Sequence, residues 1–182
     1  MKHVLIPLFF ACAFPAFGQA ACPPAPNHDL RQADIISALQ RAPNARTAQH
    51  LTAQLWEIWL AAPDEIAQGM LDQGMRMRAS GDYLGAKRAL DRLVEYCPAY
   101  AEGYNQRAFV AFLSGDYPAA IADIDSVLKI VSWHLGALSG KALTLIEMGM
   151  AEEAQVVLRE AVRLNPWMAE RALLDEPIGT DI

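Results

Sequence analysis

Along the chain, apolar residues return three and four positions apart in a succession of short segments, the spacing that lays one continuous stripe along an α-helix. Three of these segments read LGAKRALDRLVEY, PAAIADIDSVLKI and AEEAQVVLREAVRL. Ahead of them stand Gly81 in Gly81-Asp82-Tyr83, Gly115 in Gly115-Asp116-Tyr117, and Gly149, each 34 residues from the next. A glycine after a helix supplies the left-handed conformation that closes it, so each of these glycines is expected to separate two helices. Five positions beyond each glycine comes a small residue, Ala86, Ala120 or Ala154, which lets the second helix approach the first closely. Pro118 falls in the first turn of its helix, where a missing N–H is not needed, and Pro98 and Pro166 follow helix ends. The predicted unit is a helix hairpin repeated every 34 residues, and the predicted fold class is all-α.

This unit resembles the tetratricopeptide repeat. Laid on that family's pattern, the repeats run approximately from Ala67 to Tyr100, from Ala101 to His134 and from Leu135 to Met168. Gly74, Ala108 and Ala142 match the small residue of the first helix. Gly81, Tyr83, Ala86 and Pro98 match the turn, second-helix and terminal positions of the first unit; the second keeps Gly115, Tyr117 and Ala120, and the third keeps Gly149, Ala154, Ala161 and Pro166. Ser132 stands where proline is usual, and the early aromatic of the first helices is Met70, Tyr104 and Leu138. The preceding stretch, 32–66, closes with Pro63 and resembles a fourth, more degenerate helix pair whose turn uses Pro43-Asn44. Residues 169–182 are expected to add a capping helix, from Ala169 to about Leu174, and a frayed tail.

The resemblance implies an α-α superhelix, a solenoid whose first helices line a concave groove that holds a peptide or partner protein. By the family's inward positions, that groove would show Leu71, Met75 and Arg78, then Glu102, Asn105, Phe109 and Phe112, then Ser139, Leu143 and Ile146. Phe109, Phe112, Leu143 and Ile146 would take an apolar side chain, Asn105 a partner's backbone, and Arg78 an acidic group. The competing reading packs some of these side chains against neighbouring helices, and Trp56, Trp59, Trp133 and Trp167 are read as packing residues. One subclass of the family clamps a C-terminal carboxylate with lysine, arginine and asparagine. A groove with one asparagine and little positive charge speaks against that role here.

The first twenty residues, MKHVLIPLFFACAFPAFGQA, carry Lys2, an apolar run and small residues near its end. They read as a secretory signal peptide cut after Ala20, which would place the chain outside the cytoplasm, in the periplasm of a Gram-negative cell; secretion and a lipid on Cys22 are the alternatives. Pro15 interrupts the run before it reaches the ~20 residues of a membrane-spanning helix, and no other stretch is long and apolar enough to span. Residues 21–31 read as an extended segment. After cleavage two cysteines remain, Cys22 and Cys97, which in an oxidising compartment can form one disulfide pinning that segment to the helical body. A free thiol at Cys97, an intermolecular bridge and the lipid at Cys22 are the competing fates.

With 182 residues, 53% of them hydrophobic and 20% charged, the chain has enough apolar material for one ordinary core. A net charge of -6 without any dense Lys/Arg cluster removes the electrostatic basis for binding nucleic acid. His28, His50 and His134 are isolated in sequence, and HExxH, phosphate-loop and nucleophile-elbow patterns are absent. Asp123 and Asp125 are two apart and so face different sides of a helix, which reads as a solvated face and not an acid/base pair. The sequence reading is therefore a non-catalytic, cofactor-free interaction module of the cell envelope that takes a protein or peptide partner. Its rivals are a thiol-dependent redox protein using Cys22 and Cys97, and a structural subunit that self-associates; the oligomeric state is left open.

Overall fold

The computed structural model describes residues 21–24 and 28–175; the signal-peptide reading of residues 1–20 lies outside them. Among the described residues the chain forms eight α-helices, no strands and one short 3₁₀ helix. The helices are α1 (Asp29–Gln40), α2 (Ala45–Trp59), α3 (Glu65–Ala79), α4 (Tyr83–Tyr96), α5 (Ala101–Leu113), α6 (Tyr117–Ile130), α7 (Leu135–Glu147) and α8 (Ala151–Leu164).

The three repeating hairpins are α3–α4, α5–α6 and α7–α8. Their turns share one hydrogen-bond scheme. Gly81, Gly115 and Gly149 have φ of 82°, 75° and 75°, and the residue after each donates its N–H five positions back, to Met77, Ala111 and Leu145. This closure satisfies the last carbonyls of α3, α5 and α7. Asp82 and Asp116 then cap the next helix by accepting from the N–H of Gly85 and Ala119. The left-handed conformation costs a residue with a Cβ about 1–2 kcal/mol. Gly115→Ala is accordingly expected to lower the unfolding free energy by about that amount in a urea titration, with no change in helix content.

Inside each hairpin the small residues sit at the crossing point. Ala86, Ala120 and Ala154 are fully buried, and a Cβ added at Gly74 would come within 2.7 Å of the Leu90 side chain. The cores form within each hairpin and reach into the next: Ala67, Leu71, Ala86, Leu90 and Leu93 of α3–α4 cluster with Val110 of α5, and Ala108, Ile124 and Val127 of α5–α6 with Ala137 of α7. Each large aliphatic side chain buried there contributes roughly 1.5–3 kcal/mol.

The helix pair α1–α2 does not continue the stack. It folds back along the edge where the inter-repeat loops emerge and packs on the far end of the solenoid: Ile35, Ile36 and Leu39 of α1 and Leu55, Ile58 and Trp59 of α2 join Leu135 and Leu138 of α7 and Ala161, Val162 and Leu164 of α8 in one cluster. The expectation of a fourth repeat thus yields to a strap. It is fastened at several points: Gln40 Nε2 donates to the Arg163 carbonyl (3.3 Å), Trp167 Nε1 to the Ala42 carbonyl (2.9 Å), and the Tyr100 hydroxyl to the Trp59 carbonyl (2.7 Å). Burial, followed by the charges of Glu102 and Asp72, raises the Tyr100 phenol well above its ordinary range, so it remains a donor. Cys22 and Cys97 form a disulfide, tying the segment ahead of α1 to the end of α4. Beyond α8 the expected capping element is a single 3₁₀ turn, Ala169–Leu173, packed on α8.

Candidate functional site

The first helices of the repeats, α3, α5 and α7, line the concave side, and between them opens a cleft of about 420 Å³. Met75 and Arg78 enter it from α3, Asn105, Phe109 and Phe112 from α5, and Ser139, Gly140 and Leu143 from α7. The fourth wall comes from the strap: Trp56 and Leu60 face the cleft, and Glu170 of the 3₁₀ turn stands at its rim. Trp56 reaches so deep beside α7 that a Cβ on Gly136 would meet its ring at 2.6 Å.

Seven of the ten groove positions named from sequence therefore line one cavity, and three do not. Leu71 is fully buried in the α3–α4 core, where Leu90 and Leu93 surround it. Ile146 is 38% exposed but one turn beyond the cleft, near the end of α7. Glu102 is 1% exposed, covered by the strap, and serves an internal network. Its carboxylate accepts from Asn105 Nδ2 (3.1 and 3.2 Å), from Gln106 Nε2, and from His134 Nε2 at 3.1 Å.

That network makes His134 anything but isolated. Its Nδ1 accepts from the Ala137 N–H at 3.2 Å, capping α7, so the ring proton sits on Nε2 and points at Glu102. The imidazole is fully buried and stacks on Trp59 at a centroid distance of 3.9 Å, with Trp56 edge-on at 5.9 Å. The network thus joins the wall of the cleft to the seat of the strap. Sequence reading missed it because a 32-residue separation carries no local signature.

On the cleft wall, the Arg78 guanidinium lies over the Phe109 ring, 4.6 Å from its centroid, and Nη1 donates to Gln106 Oε1. Burial lowers its pKa, with the Glu102 charge opposing that shift. Phe109 is 44% exposed and Phe112 and Leu143 are partly exposed, so the floor presents accessible apolar surface. The Asn105 amide donates to Glu102, and among the described residues its Oδ1 has no hydrogen-bond partner; the side chain is 8% exposed and lines the cleft.

A larger trough, about 630 Å³, lies on the opposite face between α4 and α6. Volume alone would favour it, but Arg107 crosses it, paired with Asp123 at 2.6 Å and Asp91 at 2.9 Å, which raises the Arg107 pKa. Asp123 is therefore a buried ion-pair partner and not part of a solvated face, a correction to the sequence reading. Asp125 pairs with Lys141 at 2.7 Å. The concave cleft, lined mainly by apolar side chains and crossed by no ion pair among the described residues, is the candidate site. Among the described residues no group of three or more His, Cys, Asp or Glu is placed to hold a metal ion, and no helix is long and apolar enough to cross a membrane.

Fold and cleft together give an all-α solenoid with the architecture of tetratricopeptide-repeat domains. No family model matches the chain. Over 60 residues it is 43% identical to a TPR repeat-containing protein of Rhizobium etli, a match covering 33% of this chain and 29% of that protein. It is 32% identical over 70 residues to the tetratricopeptide repeat protein 36 homolog of Nematostella vectensis, covering 38% of each. The matches thus span about a third of those proteins' lengths. Among solved structures, the first TPR domain of Spaghetti (RPAP3), bound to an HSP90 peptide, superposes with a TM-score of 0.57 at 18% identity, covering 59% of this chain and 85% of that one.

Proposed function

We propose that this protein is a non-catalytic adaptor that holds a segment of a partner protein in the concave cleft. The observation that carries the reading is the accessible apolar floor of Phe109, Phe112 and Leu143, enclosed by Met75 and by Trp56 of the strap. Exposed apolar side chains inside a concavity are costly to leave in water, and a partner's side chain covers them. The peptide complex of the Spaghetti TPR domain supports the same mode of use. The signal-like N-terminus favours an envelope or secreted partner. Among the described residues Arg78 is the one cation lining the cleft, which does not suit a multi-point clamp on a chain terminus.

The redox rival fits less well. Cys97 is 1% exposed in the α3–α4 core, and the two cysteines stand 75 residues apart instead of in a CxxC motif.

The test is a crosslinking pull-down from the envelope fraction with the wild type and with Phe112→Ala/Leu143→Ala. Truncating central anchors commonly costs 1–2 kcal/mol each, so capture by the double variant is expected to fall at least tenfold while its circular dichroism is unchanged. Equal capture by both proteins removes the cleft from the account.

A further inference from the structure

Two charged side chains line the cleft, Arg78 on α3 and Glu170 at its rim. Arg78 makes no ion pair among the described residues; its single hydrogen bond goes to the neutral Gln106. The Glu102 carboxylate, whose charge acts on Arg78, makes no ion pair with it and has both oxygens occupied by Asn105, Gln106 and His134. Arg107, on the opposite face, shows how this chain treats a comparable guanidinium: two aspartates bracket it. Stacking on Phe109 holds the Arg78 plane against the apolar floor, and among the described residues Nε and Nη2 have no partner.

The other end of the cleft has the opposite sign. Glu170 Oε1 accepts from the Ser139 hydroxyl at 2.6 Å, which places a carboxylate where α7 meets the 3₁₀ turn. A negative group on a ligand is thus attracted toward α3 and repelled from Glu170. Building on the cleft reading above, we propose that the occupant is an internal segment of a partner protein that places an Asp or Glu side chain beside a large apolar anchor. The anchor sits on Phe112 and Leu143, the side-chain carboxylate pairs with Arg78, and a backbone N–H of the segment donates to Asn105 Oδ1. A guanidinium shielded by an aromatic ring binds a carboxylate more strongly than one free in water, so this pair supplies selection as well as register.

The experiment uses the chain from residue 21 and a random 12-residue library displayed within a loop of a carrier protein, so that no free carboxyl terminus is offered. Selections are run in parallel on the wild type, Arg78→Lys, Arg78→Gln, Arg78→Glu and Leu143→Asp, each checked by thermal melting. Expected are wild-type binders that join an aromatic or leucine to an acidic residue, retention of that preference by R78K, its loss by R78Q with the anchor kept, and selection of basic residues by R78E. Individual acidic binders should lose at least tenfold in affinity for R78Q, and L143D should select nothing. Apolar binders without acidic enrichment, lost on L143D, would overturn the carboxylate pairing and leave the cleft reading standing. No enrichment by the wild type, or enrichment indifferent to L143D, would overturn both.

Discussion

Replacing Trp59 by alanine is expected to lower the unfolding free energy by about 3–5 kcal/mol, the range for deleting a large buried aromatic. Trp59, the last residue of α2, is 5% exposed and packs the strap against the solenoid. One face of the indole stacks on His134 (3.9 Å), its flank meets Trp56 edge-on (5.3 Å), and Nε1 donates to Gln32 Oε1 at 2.8 Å. Alanine leaves a cavity between α2 and α7 and also strands the Gln32 acceptor, itself 7% exposed. Against a typical total of 5–15 kcal/mol, the loss is large enough to see in any equilibrium titration. Trp167→Ala is the internal contrast: at 39% exposed, with one surface hydrogen bond to Ala42, it should cost well under half as much. A Trp59→Ala loss below about 1 kcal/mol would mean that the strap is not seated as described. The same substitution removes the support of Trp56, so partner binding should weaken along with stability.

Removing the disulfide is expected to have the next largest effect. Cys22 and Cys97 are 75 residues apart, and closing a loop of that length restricts the unfolded chain by about 4 kcal/mol on a chain-entropy estimate, with measured values commonly 2–4. Cys22→Ser/Cys97→Ser should therefore unfold at lower denaturant by roughly 2–4 kcal/mol with an unchanged repeat fold. The local consequence falls on α1. Its first turn has no side-chain cap, His28 making no such bond, and Leu30 is 86% exposed. Without the tether, amide hydrogens of the first turns of α1 should exchange much faster, while those of α5 and α6 should change only as far as global stability does. Uniform exchange changes would place the bridge outside the strap's anchorage.

The repeats were legible in the sequence because their determinants are local. A glycine forced to positive φ, an alanine at a helix crossing and a proline past a helix end each act within a few residues of themselves, and the glycines and alanines recur at 34-residue intervals. Seven of the cleft residues could be named in advance for the same reason: a helical register, once set, fixes which side faces inward. The misses come from long-range contacts. Ile36 and Val162 share a core 126 positions apart, and no periodicity in residues 32–66 distinguishes a helix pair that stacks from one that folds back. Once the strap lies over α5, Glu102 changes from a groove residue to a buried acceptor, and Trp56 changes from packing residue to cleft wall. Leu71 was misplaced by its own register: it points between α3 and α4 instead of into the cavity.

The most direct test of the binding account places a photo-crosslinking residue in living cells at Leu143, on the cleft floor, and in a second strain at Leu84, which is 65% exposed on the opposite face. The account predicts one discrete heterologous adduct from position 143 and none from position 84, with the adduct abolished by Phe112→Ala in the same chain. An adduct from position 84 alone, or from 143 only to a second copy of this chain, would contradict it and move the interaction to the convex face or to self-assembly.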